Sequence, residues 1–303
     1  MTIVATRTMR KAKELFFMVI CTGGAALSVL MLFLILGTIT LEALPSLSLH
    51  FLITPESASP GLGGAIGNAV VGTLIISLCS TLIATPLALG TAIYLQRYAP
   101  DNGLTRLLRF LIEVLSGTPS IVLGIVGLMI LVYYMRAYTG GFSLISGSIA
   151  LAILILPVIE RAIEDAITTV PKELEEGSYA LGATKWQTIR GITIPAAISG
   201  ILTGIILGFG RVAEESAVVI LTAGYTQFFP ELAIKSSENH IFGLKLYPFQ
   251  DLVGTLPYSV YHAYENSNVV AISDGFAAAF ILIGIVFLIN LTARILLRRS
   301  RYG

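Results

Sequence analysis

The stretch LFFMVICTGGAALSVLMLFLILGTITL, from Leu15 to Leu41, contains no charged residue. A helix needs about 20 apolar residues to cross the hydrocarbon core of a bilayer, so this stretch predicts a membrane-spanning helix. The run is longer than the apolar core of a usual signal peptide, and no clear A-x-A cleavage site follows it. We therefore expect a retained anchor helix.

Five further apolar segments follow along the chain, and several are interrupted by proline, glycine or charge. Lipid offers no hydrogen bonds to the backbone, so each lipid-facing segment is expected to be helical. The predicted fold class is all-α integral membrane, with six transmembrane helices. The five segments are Ala65–Leu95 with Pro86, Leu107–Met135 with Gly117 and Pro119, Ser143–Ile159, Gly191–Ala223 with Arg211, Glu214 and Glu215, and Gly275–Leu297.

The composition of the whole chain agrees with a membrane protein. Hydrophobic residues make up 55% of the 303 positions and charged residues 12%, with a mean hydropathy of +0.85; soluble domains carry about 25% charged residues. The net charge of +1 makes nucleic acid an improbable partner. Cys21 and Cys79 lie in apolar runs, where we expect small buried hydrophobic residues. The three histidines are far apart, so no metal site is predicted: His50, His240 and His262.

Basic residues are distributed unevenly between the two sides of the six predicted spans. Most of the 19 lysines and arginines fall before the first span, between spans two and three, between spans four and five, and after the sixth. The opposite side holds only Arg136, Lys235 and Lys245. The positive-inside rule then places both termini in the cytoplasm. The expected organisation is a cytoplasmic tail at 1–14, one transmembrane domain at 15–303, extracytoplasmic loops at 42–64 and 225–272, and a cytoplasmic loop at 160–190.

The two extracytoplasmic loops differ in composition. The segment 42–64 contains Pro45, Pro55 and Pro60 and is expected to be irregular. The longer segment carries aromatic residues, which are typical of anchoring at the membrane interface. These aromatic residues include Phe228, Phe229, Tyr258 and Tyr261.

The cytoplasmic segment ERAIEDAITTVPKELEEGSYALGATKWQTIRGITIP, from Glu160 to Pro195, predicts a short surface helix. Pro171 suits the start of a helix and Gly182 suits its end, which gives a helix over Lys172–Leu181. A second helix is expected to begin near Trp186 and to run into the membrane.

This segment resembles the cytoplasmic loop of ABC importer permeases, whose pattern is E-A-A-x3-G-x9-I-x-L-P. Glu176, Gly182, Ile192 and Pro195 match it, while Gly177, Ser178 and Ile194 depart from it. The resemblance implies that 172–181 is a coupling helix that docks onto an ATPase subunit. The residues carried over to that contact are Glu176, Ala180, Leu181 and Gly182. An ordinary amphipathic loop helix is the alternative.

Four other segments resemble Pst-type phosphate permeases, in the order of that family. They lie at 63–100, at SGTPSIVLGI (116–125), at GFGRVAEESAVVILTAG (208–224) and at GTLPYSVYHAY (254–264), the last similar to the PstA-like subunit. Glu214 stands where the family usually has glycine, and Ser216 replaces threonine. The resemblance implies the permease subunit of a phosphate importer of type I ABC architecture.

Arg211 and Glu215 are the first candidates for binding the substrate. A charge inside a span usually faces a cavity or a counter-charge, and an arginine fork suits tetrahedral oxyanions. Glu215 lies four residues on, where it can pair with Arg211 or accept a proton-bearing phosphate oxygen. The alternative is a purely structural ion-pair cluster. We expect Glu214 to point elsewhere, because it lies about 100° around the helix from Glu215.

Three further residues are weaker candidates for substrate contacts. Arg161 matches a basic position in the family pattern and would relay an anion inward; its alternative is a snorkelling arginine or a pair with Glu164 or Asp165. Thr118 and Ser120 flank Pro119, where repair of a helix kink is the simpler explanation.

The predicted function is therefore ATP-driven phosphate import. The chain lacks G-x-x-x-x-G-K-[ST], so ATP is expected to be used by a pair of separate ATPase subunits, with no cofactor in this chain. The other expected partners are a second, PstC-like permease subunit and an extracytoplasmic phosphate-binding protein. Alternatives are a permease for another oxyanion or small solute, an ATP-independent secondary transporter or channel, and a membrane enzyme, which has no supporting constellation of residues.

Overall fold

The computed structural model describes residues 2–59, 63–236 and 244–300, and it confirms a mostly helical chain. The helices are α1 Thr2–Ala43, α2 Leu49–Ile53, α3 Gly67–Ile93, α4 Gly103–Gly117, α5 Ser120–Gly127, α6 Arg136–Thr139, α7 Leu144–Thr168, α8 Lys172–Ala180, α9 Lys185–Thr188, α10 Ile194–Ala213, α11 Ala217–Thr222, α12 Leu256–Glu265 and α13 Ile272–Ser300. A small antiparallel ribbon pairs β1 (Ile234–Ser236) with β2 (Leu244–Leu246).

Three π-helical stretches and one 3₁₀ turn complete the elements. The π-helical stretches are Tyr94–Tyr98 after α3, Leu128–Tyr134 after α5 and Ile189–Thr193 before α10. The 3₁₀ turn is Glu56–Ala58. Each π-helical stretch continues a longer helix and widens it locally.

Five helical segments within the described residues are long and apolar enough to cross a membrane. They are Lys13–Ala43, Gly67–Tyr98, Leu144–Thr168, Lys185–Ala213 and Ile272–Thr292. The pair Gly103–Gly117 and Ser120–Tyr134, bent by 101°, makes a sixth if it is counted as one span. The prediction of six spans holds in that sense.

The centre of the fold is α7, which packs between α3 and α10. Small residues permit this contact: a Cβ atom on Gly200, Gly204 or Gly208 of α10 would lie within 2.7 Å of a side-chain atom of α7. Close approach at small residues is how helices associate where lipid removes the hydrophobic drive. A second apolar cluster, around Phe51 and Leu256, packs α2 and α12 against α13.

The predicted fourth span is too short. We expected it to end near Ile159, but α7 continues through Pro157 to Thr168. The charges that suggested a loop are accommodated within the helix, because Glu164 accepts hydrogen bonds from Gln96 and Arg109. The loop expected at 160–190 therefore starts only after Thr168.

The predicted third and fifth spans are not continuous helices. The third breaks at Thr118 and Pro119, where α4 ends and α5 begins. The fifth stops at Ala213 and resumes at Ala217 as the short helix α11. Arg211 therefore lies in the last turn of α10, not in the middle of an unbroken helix.

Other expectations also need correction. Helix α1 already begins at Thr2, so the tail expected at 1–14 is helical from that residue. The loop 42–64 contains α2 and a 3₁₀ turn, and 225–272 contains the ribbon and α12. The free cysteines are not buried, since Cys21 is exposed and Cys79 is partly exposed. Pro60, His240 and residues 301–303 lie outside the described residues.

Candidate functional site

Arg211 and Glu215 form an ion pair across the break that ends α10. Arg211 Nη2 lies 2.8 Å from Glu215 Oε2. The other oxygen, Glu215 Oε1, accepts the backbone N–H of Ala217 at 3.2 Å. The side chain of Glu215 is 4% exposed, whereas that of Arg211 is 43% exposed. The carboxylate is thus fixed inside the fold, and the guanidinium keeps donors directed outward.

The helix that follows the break in the third span packs on the helix that follows the break in the fifth. A Cβ atom on Gly124 of α5 would lie 2.8 Å from Leu221 Cδ1 of α11, and one on Gly127 would lie 2.8 Å from Thr222 Cγ2. Both sets of contacts advance along the two helices in the same direction, so α5 and α11 run in parallel.

Thr118 and Ser120 occupy the break between α4 and α5. Thr118 caps the end of α4, and its hydroxyl donates to the carbonyl of Val114 at 2.7 Å. This bond gives the Val114 carbonyl a partner where the helix ends before Pro119, as expected for repair of a helix kink. Ser120 is the first residue of α5 and is half-buried.

Arg161 lies inside α7 and is turned to the surface. Arg161 Nη2 lies 3.6 Å from Glu113 Oε1 of α4, and both side chains are more than half exposed. The partner is thus Glu113, not Glu164 or Asp165. Since Gly204 packs on Ala162, Arg161 is about six residues, or roughly 9 Å, from the level of Arg211 along the helix axis. Arg211 and Arg161 therefore lie one after the other along the helix axis.

The side chain of Glu214 points away from that of Glu215, as expected. Its side chain is exposed, and within the described residues it forms no ion pair. It lies at the end of α10, where its charge is added to the surroundings of Arg211. The chain thus carries an additional negative charge beside the candidate site.

The predicted surface helix is confirmed as α8, which ends with Leu181 as its cap and Gly182 at φ +84°. A left-handed φ of this kind favours glycine. Glu176 and Ala180 are exposed, and Leu181 is 91% exposed. An exposed leucine at the end of an otherwise polar helix is available to a partner surface.

Sequence reasoning missed a set of charged contacts beneath α8. Glu175 is paired with Arg97 at 2.9 Å and accepts a hydrogen bond from Thr193 at 2.7 Å. Glu164 joins Arg109 and Gln96 in the same layer. The partners are far apart along the chain, as with Arg97 and Glu175, so no local spacing could indicate them.

Comparison with known proteins gives a family match over most of the chain. Residues 84–302 match the model of the family described as "Binding-protein-dependent transport system inner membrane component". The chain is 40% identical over 188 residues to "Probable ABC transporter permease protein YqgI" of Bacillus subtilis, covering 62% of this chain. It spans only 63% of the length of that relative.

A second relative aligns over nearly its full length. The chain is 32% identical over 288 residues to "Probable phosphate transport system permease protein PstA" of Methanocaldococcus jannaschii, covering 93% of this chain and 92% of the relative. Among solved structures, a bacterial alginate ABC transporter in complex with a pentasaccharide-bound periplasmic protein has a TM-score of 0.63 at 16% identity. That match covers 91% of this chain and 93% of the other, and it supports the fold alone.

These matches agree with the helical, membrane-spanning architecture of the chain. The chain is a multi-pass membrane protein and belongs to the family of binding-protein-dependent transport system inner membrane components.

Proposed function

We propose that this chain is a permease subunit of an ATP-driven importer of inorganic phosphate. The observation that carries the proposal is the exposed Arg211, which pairs with a buried carboxylate at the break between α10 and α11. A relative aligned over nearly the whole chain bears the name of a phosphate transport permease, which supports the choice of substrate.

The chemistry of the break suits a tetrahedral oxyanion. Arginine presents five N–H donors, and Glu215 occupies only part of them. Helix α5 begins at Ser120, and in the proposed pathway the positive end of its dipole would add to the attraction of an anion. Glu215 would act on the anion through Arg211, because its two oxygens are held by Arg211 and by the Ala217 N–H and its side chain is 4% exposed.

Arg161 provides a second, weaker position on the way to the cytoplasm. Its long and exposed contact with Glu113 is easily replaced by an anion, because exposed ion pairs contribute little. Movement from Arg211 to Arg161 would shift the anion by roughly one and a half helical turns. Ser120, and less directly Thr118, would contact the anion at the first position, beside Arg211.

The proposed partners follow from the surfaces that the single chain leaves open. Arg211 faces out of the subunit, so a second, PstC-like permease subunit would close the pathway on the other side. A pair of ATPase subunits would bind α8 through Glu176, Ala180, Leu181 and Gly182. An extracytoplasmic phosphate-binding protein would deliver the substrate. No ATP is bound or hydrolysed by this chain in this scheme, and no cofactor of its own is needed.

The proposed orientation has both termini in the cytoplasm. It follows from the excess of basic residues beside the expected cytoplasmic ends of the spans. This orientation places α8 on the side where ATP is available, and α12 and the ribbon on the side of the binding protein.

Uptake of labelled phosphate, sulfate and molybdate into vesicles tests the substrate and the role of Arg211 together. The assembled transporter should take up phosphate only with ATP and its binding protein, and it should copurify with its ATPase subunits. Arg211→Lys should lose most of this uptake while still assembling, because lysine lacks the bidentate fork. The matched control is Arg106→Lys, which changes an exposed arginine on α4.

Three results would count against the proposal. Preferred uptake of sulfate or molybdate would assign another oxyanion, to which the exposed charge of Glu214 would then be relevant. Uptake without ATP would indicate a secondary transporter. Phosphate uptake at the wild-type rate by Arg211→Lys would show that the Arg211 guanidinium is not needed in the transport pathway.

A further inference from the structure

Glu175 is the one carboxylate of α8 that turns inward. The residue is 9% exposed, while its neighbours Glu173 and Glu176 are exposed. Its Oε1 atom receives Arg97 Nε at 3.0 Å, Arg97 Nη2 at 2.9 Å and Thr193 Oγ1 at 2.7 Å. A buried carboxylate with several donors keeps them, because losing one leaves an uncompensated charge.

These bonds join α8 to three membrane helices at their cytoplasmic ends. Arg97 follows α3, and Thr193 precedes α10. Arg97 Nη2 also donates to the carbonyl of Ile167 in the last turn of α7, at 3.2 Å. Apart from Glu175, α8 packs mainly on α9 and on 189–193, where Ser178 and Thr188 share a hydrogen bond of 2.9 Å. The chain itself joins α8 to α7 through residues 169–171, whereas the side-chain link from α8 to the end of α3 is the Arg97–Glu175 pair.

Both partners of Glu175 lie in π-helical stretches. The bond from the Ala99 N–H to the Tyr94 carbonyl, at 2.7 Å, spans five residues, and the N–H of Ile194 likewise bonds to Ile189. A π-helical turn holds one residue more than an α-helical turn, and such turns are frequent at functional sites. A displacement of Arg97 or Thr193 can therefore be absorbed by a shift of hydrogen-bond partners within its π-helical stretch, while α3 or α10 stays intact.

We propose that Glu175, and not the exposed Glu176 of the family pattern, transmits movement of α8 to the end of α3 and the start of α10. This inference rests on the proposed function, since it assigns the internal link of the same transport cycle. Glu176 faces outward and is left to contact the ATPase subunit. Glu175 is a positioning residue that acts through Arg97 and Thr193 and does not touch the substrate.

The transport test uses the assembled complex in proteoliposomes, with Glu175→Ala compared to Glu173→Ala as the matched exposed control. Glu175→Ala should bind the ATPase subunits and keep the basal rate of ATP hydrolysis. The phosphate moved per ATP should fall about ten-fold or more, the factor that corresponds to loss of a hydrogen bond to a charged group. Glu173→Ala should match the wild type, and the exchange Arg97→Glu with Glu175→Arg should restore part of the coupling.

The same assignment predicts a distance change that does not depend on the substrate. Spin labels at Lys172→Cys and Leu87→Cys, both exposed, would be placed in a protein with Cys21→Ser and Cys79→Ser. ATP binding should leave one narrow distance in the wild type, because α8 and α3 move together. In Glu175→Ala the distance should shift and broaden.

Wild-type coupling and an unchanged distance in Glu175→Ala would overturn this assignment. A loss explained wholly by lost ATPase binding, with normal phosphate moved per ATP, would overturn it as well. A wild-type complex that moves no phosphate would instead refute the proposed substrate, and the distance measurement would still test Glu175.

Discussion

Arg211 is held by Glu215 but is not covered by it. The buried carboxylate is fixed by the Ala217 N–H, whereas the guanidinium remains 43% exposed. An arriving anion can therefore bind without first separating the pair. At the proposed phosphate site Glu215 would set the strength of binding, since its charge weakens the attraction of Arg211 for a second anion.

Glu215→Gln should bind phosphate more tightly and transport it more slowly. The amide oxygen still accepts the Ala217 N–H, so the break keeps its shape, but the competing charge is gone. The KM for uptake should fall about five-fold, since an ion pair whose arginine is 43% exposed contributes about 1 kcal/mol. The maximal rate should fall because release becomes slower. An unchanged KM in assembled Glu215→Gln would show that the pair does not regulate anion binding.

Glu56 gives a pH dependence outside the spans. Burial raises the pKa of Glu56, while the Gly63 N–H and His262 lower it and Asp274 raises it. With the folded-state pKa above the ordinary value, stability is full below the ordinary pKa and is lost as pH rises through the folded pKa. The thermal midpoint of the wild type should therefore fall as pH rises above about 4.3.

Glu56→Gln should flatten that fall, since the amide has no charge to desolvate. Glu231→Gln, which changes an exposed carboxyl group, is the control and should follow the wild type. Parallel pH profiles for the wild type and Glu56→Gln would rule out this contribution.

At the scale of elements, the sequence predicted the number of apolar segments and the bounds of α8 well. Pro171 and Gly182 mark the start and the end of α8 through local backbone preferences, so these bounds can be recognised without tertiary information. The predicted length of α7 was wrong because charged residues such as Glu160 and Glu164 are typical of a loop outside the membrane. Partners from α3 and α4 keep Glu164 in the fold, and those contacts cannot be seen in the sequence.

The two helix breaks were only half predictable. Pro119 marked the first as an interruption, but the 101° bend depends on how α5 packs against α11. The second break contains no proline or glycine, and its charges suggested only an interrupted span. Arg211 and Glu215 were nevertheless found as a pair, because the spacing of four residues survives at the end of α10.

Two glycines of α3 test how tightly this helix is enclosed. A Cβ atom on Gly72 would lie 2.0 Å from the Gly254 carbonyl oxygen, which is backbone, whereas Gly90 has open space around it. Gly72→Ala should destabilise the protein by about 2 kcal/mol or more through overpacking. Gly90→Ala should be neutral or stabilise by up to about 1 kcal/mol. Thermal unfolding in detergent measures both, and equal midpoints for the two variants would contradict the packing of α3.

At the scale of the whole molecule, the subunit is open on the side where it would transport. The span at Lys13–Ala43 is not buried within the subunit, whereas the window in α7 is 61% buried. Arg211, Arg161 and Leu181 all reach the surface of the single chain. These features suit one half of a pathway, in which a second permease subunit, lipid and an ATPase cover different faces.

The most direct test of the central proposal is a cryo-EM structure of the assembled transporter with phosphate trapped inside. The proposal predicts a tetrahedral density within hydrogen-bond distance of the Arg211 guanidinium, in a cavity between the two permease subunits, with Glu215 still bonded to the Ala217 N–H. An Arg211 that faces lipid, or that is sealed against carboxylates with no cavity beside it, would contradict it.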